Sequence, residues 1–102
     1  MIELVAQKRE EVAEHCRRLN VRKLDVFGSA ANGKFNPETS DLDFLVEFND
    51  HNSPGICNRY FDLVESLEAL FNRKVDLVTA PSVTKPRFKA NIEAEKEPVY
   101  VL

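Results

Sequence analysis

The chain has 102 residues, 43% hydrophobic and 30% charged, with a net charge of −3 at pH 7. Its length is that of one domain with a modest core, and its mix of apolar and charged residues excludes an intrinsically disordered chain. Net negative charge excludes a broad basic field for nucleic acid, although a single nucleotide stays open because a metal ion can supply positive charge locally.

Met1-Ile2-Glu3-Leu4 lacks the basic-then-apolar layout of a secretion signal, and no apolar stretch reaches membrane-spanning length. Cys16 and Cys57 stand in unrelated contexts without metal-type spacing, as free thiols of a reducing compartment do. The expectation is a cytoplasmic protein, one domain over residues 1–102.

Ile2, Val5, Val12, Cys16 and Leu19 recur at helical intervals among Glu and Arg, which predicts one amphipathic helix of about five turns ending at Asn20. Arg22 to Phe27 reads as a short strand that stops at Gly28-Ser29. Ala30, Ala31 and Asn32 then form one helical turn, closed by Gly33. Asn36-Pro37-Glu38-Thr39-Ser40 is dense in turn formers and reads as a loop. Asp41 to Phe48 is the second strand; apolar residues on both faces of its middle make it central and covered on both sides.

Ser53 is a candidate cap, with Pro54 suited to a first helical position. Ile56, Tyr60, Leu63, Val64, Leu67, Leu70 and Phe71 mark a second long amphipathic helix. Lys74 to Thr79 is a third strand, broken by Ala80-Pro81. A shorter helix from about Val83 to Glu95 puts Phe88 and Ile92 one turn apart on its inner face. Val99 to Leu102 fits either an edge strand or a docked tail. The order predicts an α/β (α+β) fold, a small mixed β-sheet packed with helices.

Asp41 and Asp43 lie two apart on a predicted strand, so both side chains point to one face. Neighbouring carboxylates repel each other unless a cation joins them, and magnesium suits the pair because it fills its remaining positions with phosphate oxygens and water. A solvent-exposed strand end that needs no metal explains the same spacing. Gly28-Ser29, at a strand-to-helix turn upstream, offers close backbone approach and a hydroxyl donor to phosphate, or is an ordinary turn. Asp76 sits between Val75 and Leu77 in an apolar strand, where burial without a partner is costly. It reads either as a third carboxylate around one or two metal ions or as the partner of Lys74 or Arg73. Asp25 has no such context and reads as structural. His15 and His51 have no ligand-spaced partner. Lys85, Arg87 and Lys89 read as a solvated basic edge that can meet an acidic partner surface.

Gly28-Ser29, an eleven-residue gap and Asp41-Leu42-Asp43-Phe44-Leu45-Val46, with Val75-Asp76-Leu77-Val78 later, resemble the signature of the DNA polymerase β-like nucleotidyltransferases. The length resembles their minimal nucleotidyltransferases, many of them antitoxins paired with HEPN-domain toxins. The resemblance implies that Gly28 and Ser29 hold the triphosphate of ATP. It implies that Asp41, Asp43 and Asp76 hold one or two Mg2+ ions, and that Asp76 helps activate an acceptor hydroxyl. AMP would pass to that hydroxyl, a tyrosine of a HEPN-type toxin. Many relatives carry Arg where this chain has Asn32 in Gly28-Ser29-Ala30-Ala31-Asn32-Gly33. Asn is a weaker phosphate partner than guanidinium, and Lys34 is the candidate nucleotide-binding cation in its place. A non-catalytic antitoxin that covers its partner is the competing reading. A detached domain acting on a small drug is disfavoured because no further domain is there to hold the drug. Phe35, Phe61 and the apolar tail suggest a homodimer or a protein complex.

Overall fold

Alternation along the strands sets the architecture of the computed structural model, which describes residues 1–102. Four strands, β1 (Val21–Phe27), β2 (Leu42–Phe48), β3 (Val75–Thr79) and β4 (Glu97–Val101), form one sheet in the order β3-β2-β1-β4. β1 runs antiparallel to β2 and β4, whereas β2 and β3 are parallel. Leu24 and Val26 on β1 stand opposite Val46 and Phe44 on β2, so these four share a face. Helices α2 (Arg9–Arg18) and α4 (Ile56–Phe71) cover that face with Val12, Cys16, Leu63, Leu67 and Phe71. Leu63 and Leu67 are fully buried, and truncating either to Ala costs about 2–5 kcal/mol.

The other face is covered only in part. There Phe27, Leu45 and Ile92 form a small second cluster, with Ile92 supplied by α5 (Pro86–Glu95). Phe88, expected on the inner face of that helix, is 42% exposed and touches Phe27 edge-on. The helix starts at Pro86 rather than Val83, because a 3-10 turn at Ala80–Ser82 intervenes.

The single opening helix is two, α1 (Glu3–Ala6) and α2, with Lys8 at φ −110 and ψ 16 between them. The Ile2 N–H donates to the Ala30 carbonyl, so the first turn is tied to α3 (Ser29–Asn32), and the chain bends before α2. Asn20 and Asn72 follow α2 and α4 with positive φ, a conformation Asn tolerates. Ser53 does not cap α4; its hydroxyl accepts from Arg59 instead. The tail is an edge strand, and Pro98, without an N–H, is tolerated there. No helix is long and apolar enough to cross a membrane.

Candidate active site

The topology brings three strand ends together. β1 ends where β2 begins because the two are antiparallel, and β3 begins beside β2 because those two are parallel. Phe27, the last residue of β1, stands opposite Asp43, and Asp43 stands opposite Asp76. Both acids point away from the main core, since Leu42, Phe44, Val75 and Leu77 fill it.

Asp43 is half-buried and Asp76 exposed. Burial, then the charge of Asp76 and a hydrogen bond with it, then Asp41 and Glu95, push the Asp43 carboxyl up to about 6. Repulsion is therefore built into the site. β2 begins at Leu42, one residue later than expected, which leaves Asp41 outside the ladder. Its carboxylate lies 3.9 Å from the Lys74 ammonium. Lys74 thus pairs with Asp41 and not with Asp76, and Arg73 donates to the Ser40 carbonyl. No group of three or more Asp, Glu, His or Cys side chains is placed to hold a metal ion, so the expected trio of Asp41, Asp43 and Asp76 is not brought together as a set.

Gly28 makes the close approach possible. It sits at φ +69 and ψ −148, and a Cβ there would overlap Oδ2 of Asp43. The Ala31 and Asn32 N–H groups donate to its carbonyl, starting α3, and Gly33 at φ +83 ends that helix. Ser29 is half-buried, and its hydroxyl has no protein partner. Lys34 is exposed and makes no ion pair; its main-chain N–H donates to Asn32 Oδ1.

Glu95, which sequence reasoning did not single out, belongs to this neighbourhood. Asn32 Nδ2 donates to its Oε1 at 3.4 Å, and its charge reaches Asp43. A glutamate near the end of an amphipathic helix carries no signal that sets it apart. Asp25, read as structural, is fully buried with Lys23 Nζ at 3.6 Å and Lys96 Nζ at 3.9 Å, and its Oδ1 has no hydrogen-bond partner. Burial raises its carboxyl and the two lysines oppose the shift.

The Asp43–Asp76 pair has the donor chemistry that magnesium takes. Hard carboxylate oxygens, mutually repelling and only partly enclosed, leave room for phosphate and water in the remaining positions.

Residues 9–99 match the nucleotidyltransferase domain family. The chain belongs to this family. Among relatives of this nucleotidyltransferase is a protein of Methanocaldococcus jannaschii that carries the name protein adenylyltransferase. It is 38% identical over 78 residues, 76% of each chain. Protein adenylyltransferase MntA of Thermococcus cleftensis is 38% identical over 84 residues, 82% of this chain and 78% of its own. A solved structure described as a minimal nucleotidyltransferase superposes with a TM-score of 0.76 at 30% identity, covering 95% of this chain and 96% of that one. A chain from a complex described as tri-AMPylated Shewanella oneidensis HEPN toxin with MNT antitoxin has a TM-score of 0.66. It covers 96% of this chain and 73% of its own; at 15% identity, that likeness shows the fold.

Proposed function

We propose that this nucleotidyltransferase transfers AMP from ATP to a protein hydroxyl, the tyrosine of a HEPN-type toxin, in a magnesium-dependent reaction, and so acts as an antitoxin. The observation that carries the reading is the ladder pairing of Asp43 with Asp76, under a glycine that leaves room for the Asp43 carboxylate. Relatives named protein adenylyltransferase support AMP as the transferred group. The MNT antitoxin complexed with an AMPylated HEPN toxin supports the partner class.

Gly28 and the free Ser29 hydroxyl receive the triphosphate, and Lys34 is the only cation in the following loop. Asp43 and Asp76, joined by Asp41, would hold one or two Mg2+ ions. When bound, magnesium neutralises the carboxylates and the phosphate charge that develops during transfer. The acceptor oxygen forms a bond to the α-phosphorus while the bond to pyrophosphate breaks, and Asp76 takes the hydroxyl proton. The products are the AMP ester and pyrophosphate.

Transfer of label from α-labelled ATP with magnesium, onto a purified HEPN-type toxin from the same organism, tests the proposal. Labelling that persists in Asp41→Asn/Asp43→Asn sinks it. A second reading, antitoxin action by contact alone, is favoured by Asn32 in place of the cationic residue. It predicts neutralisation by the same double variant.

A further inference from the structure

We propose that the acceptor protein docks along the β3 edge, through an apolar segment flanked by acidic side chains, while the nucleotide approaches Asp43 from the β1 side. This inference rests on the transfer reaction proposed above and assigns its two substrates to opposite sides of β2.

An open groove of about 540 Å3 runs along β3 between α4 and α5, and Asp43 and Asp76 line it. Its remaining lining is apolar or already satisfied. Phe27, Phe61, Val64, Val78 and Phe88 form the walls, and the Tyr60 hydroxyl donates to the Leu77 carbonyl at 2.6 Å. Phe61 and Phe88 are 61% and 42% exposed, an unusual use of large rings in so small a chain. Each ring has an aromatic neighbour: Phe61 meets Tyr60 edge-on at 5.3 Å and Phe88 meets Phe27 edge-on at 6.3 Å. Aromatic rings, with only two side-chain torsions, offer contact area at little entropic cost.

The charges choose the occupant. No cation lines the groove, and beyond the two carboxylates its walls are apolar, so it offers the outer phosphates of a triphosphate no donor of its own. A neutral hydroxyl carried on an apolar segment needs no such donor, and the groove leads it to Asp76. Gly28, Ser29 and α3 lie across β2, beside β1, which leaves that side for the nucleotide. Lys85, Arg87 and Lys89 stand exposed around Phe88, and none makes an ion pair. They complement an acidic surface on the partner and speed its encounter.

The test uses the full chain, the purified HEPN-type protein and, as nucleotide probe, AMP-PNP with magnesium. Phe61→Ser and Phe88→Ser should each weaken partner binding at least about tenfold, as truncation of an aromatic anchor does. AMP-PNP affinity should stay within about twofold, and saturating partner should restore transfer. Arg87→Glu/Lys89→Glu should slow association and flatten its salt dependence. Unchanged partner binding in both Phe variants overturns the docking site. A parallel loss of AMP-PNP binding would make the groove the nucleotide seat and also overturn it. A Phe61→Ser chain that loses self-association while keeping partner binding would assign the surface to a second copy. If the wild-type chain binds the partner but transfers no AMP, the transfer reading fails, and the binding comparison still decides the groove.

Discussion

Oδ2 of Asp43 occupies the space that a Cβ on Gly28 would need. The end of β1 and the start of β2 can close together only because one carbon is missing, and the Gly28 dihedrals lie in a region that glycine alone adopts freely. Gly28→Ala must displace the Asp43 carboxylate or strain the turn. The expected loss of stability is about 1–3 kcal/mol by urea unfolding. AMP transfer should fall about a hundredfold, as for an ångström-scale misplacement of a reacting group. A near-wild-type rate would show that the position of Asp43 is not critical.

The raised Asp43 carboxyl sets a pH dependence. Its ordinary value is 3.8 and its folded value is about 6, so between those limits the folded chain holds more protons than the unfolded one. Its contribution to stability is complete below about pH 4 and is lost as pH rises through about 6. Asp43→Asn should therefore melt above wild type at pH 7 without divalent cations, and the gap should shrink towards pH 4. Magnesium affinity should fall below about pH 6, with proton release on binding visible as buffer-dependent heats in calorimetry. A gap in melting temperature that does not change with pH would contradict the raised value.

Asn32 and Glu95 offer a gain-of-function test. Glu95 already accepts from Asn32 at 3.4 Å, so an arginine at position 32 finds a carboxylate in place to orient its guanidinium. Asn32→Arg should tighten AMP-PNP binding about five- to tenfold through a charged donor. Glu95→Gln should lower the Asp43 carboxyl, because one of the charges that raises it is gone. An Asn32→Arg chain that binds AMP-PNP no tighter would place this position away from the nucleotide.

Arg59 should matter for the fold and not for the reaction. Its guanidinium donates to the carbonyls of Leu19 at 2.9 Å, Asn20 at 2.8 Å and Asn49 at 2.7 Å, and it lies over the Phe48 ring. These contacts join the α2–β1 turn, the end of β2 and α4. Arg59→Met should cost about 2–3 kcal/mol in urea unfolding, and Arg59→Lys should recover only part, because an ammonium cannot reproduce the fork. AMP-PNP affinity below the unfolding transition should be unchanged.

The two thiols should differ sharply. Burial pushes Cys16 up to about 12, whereas Cys57 is exposed near the start of α4. One thiol should react with a disulfide reagent in the native protein, and the second only after denaturant is added. Rapid reaction of both would mean that the α2 face opens readily.

Much of this molecule was readable from local pattern. The apolar stripe of α4, the stop at Gly33 and the alternation in β2 and β3 follow from periods of 3.6 and 2, which few neighbours can override. That alternation also assigned Asp76 and Val78 to the face opposite Val75 and Leu77. Other features depended on residues distant in sequence. The bend at Lys8, the start of β2 after Asp41, the burial of Asp25 between Lys23 and Lys96, and the carbonyls gathered by Arg59 each depend on an element far along the chain. Glu95 is the clearest case, since nothing in its own helix distinguishes it from Glu93. The sequence alone determined the order of the strands and longer helices and which residue types face the open side of the sheet. Tertiary structure alone decided that Gly28, Asp43 and Asp76 come together there. Strand register is a relation between segments, and a one-residue slip of β3 against β2 would turn Asp76 away from Asp43.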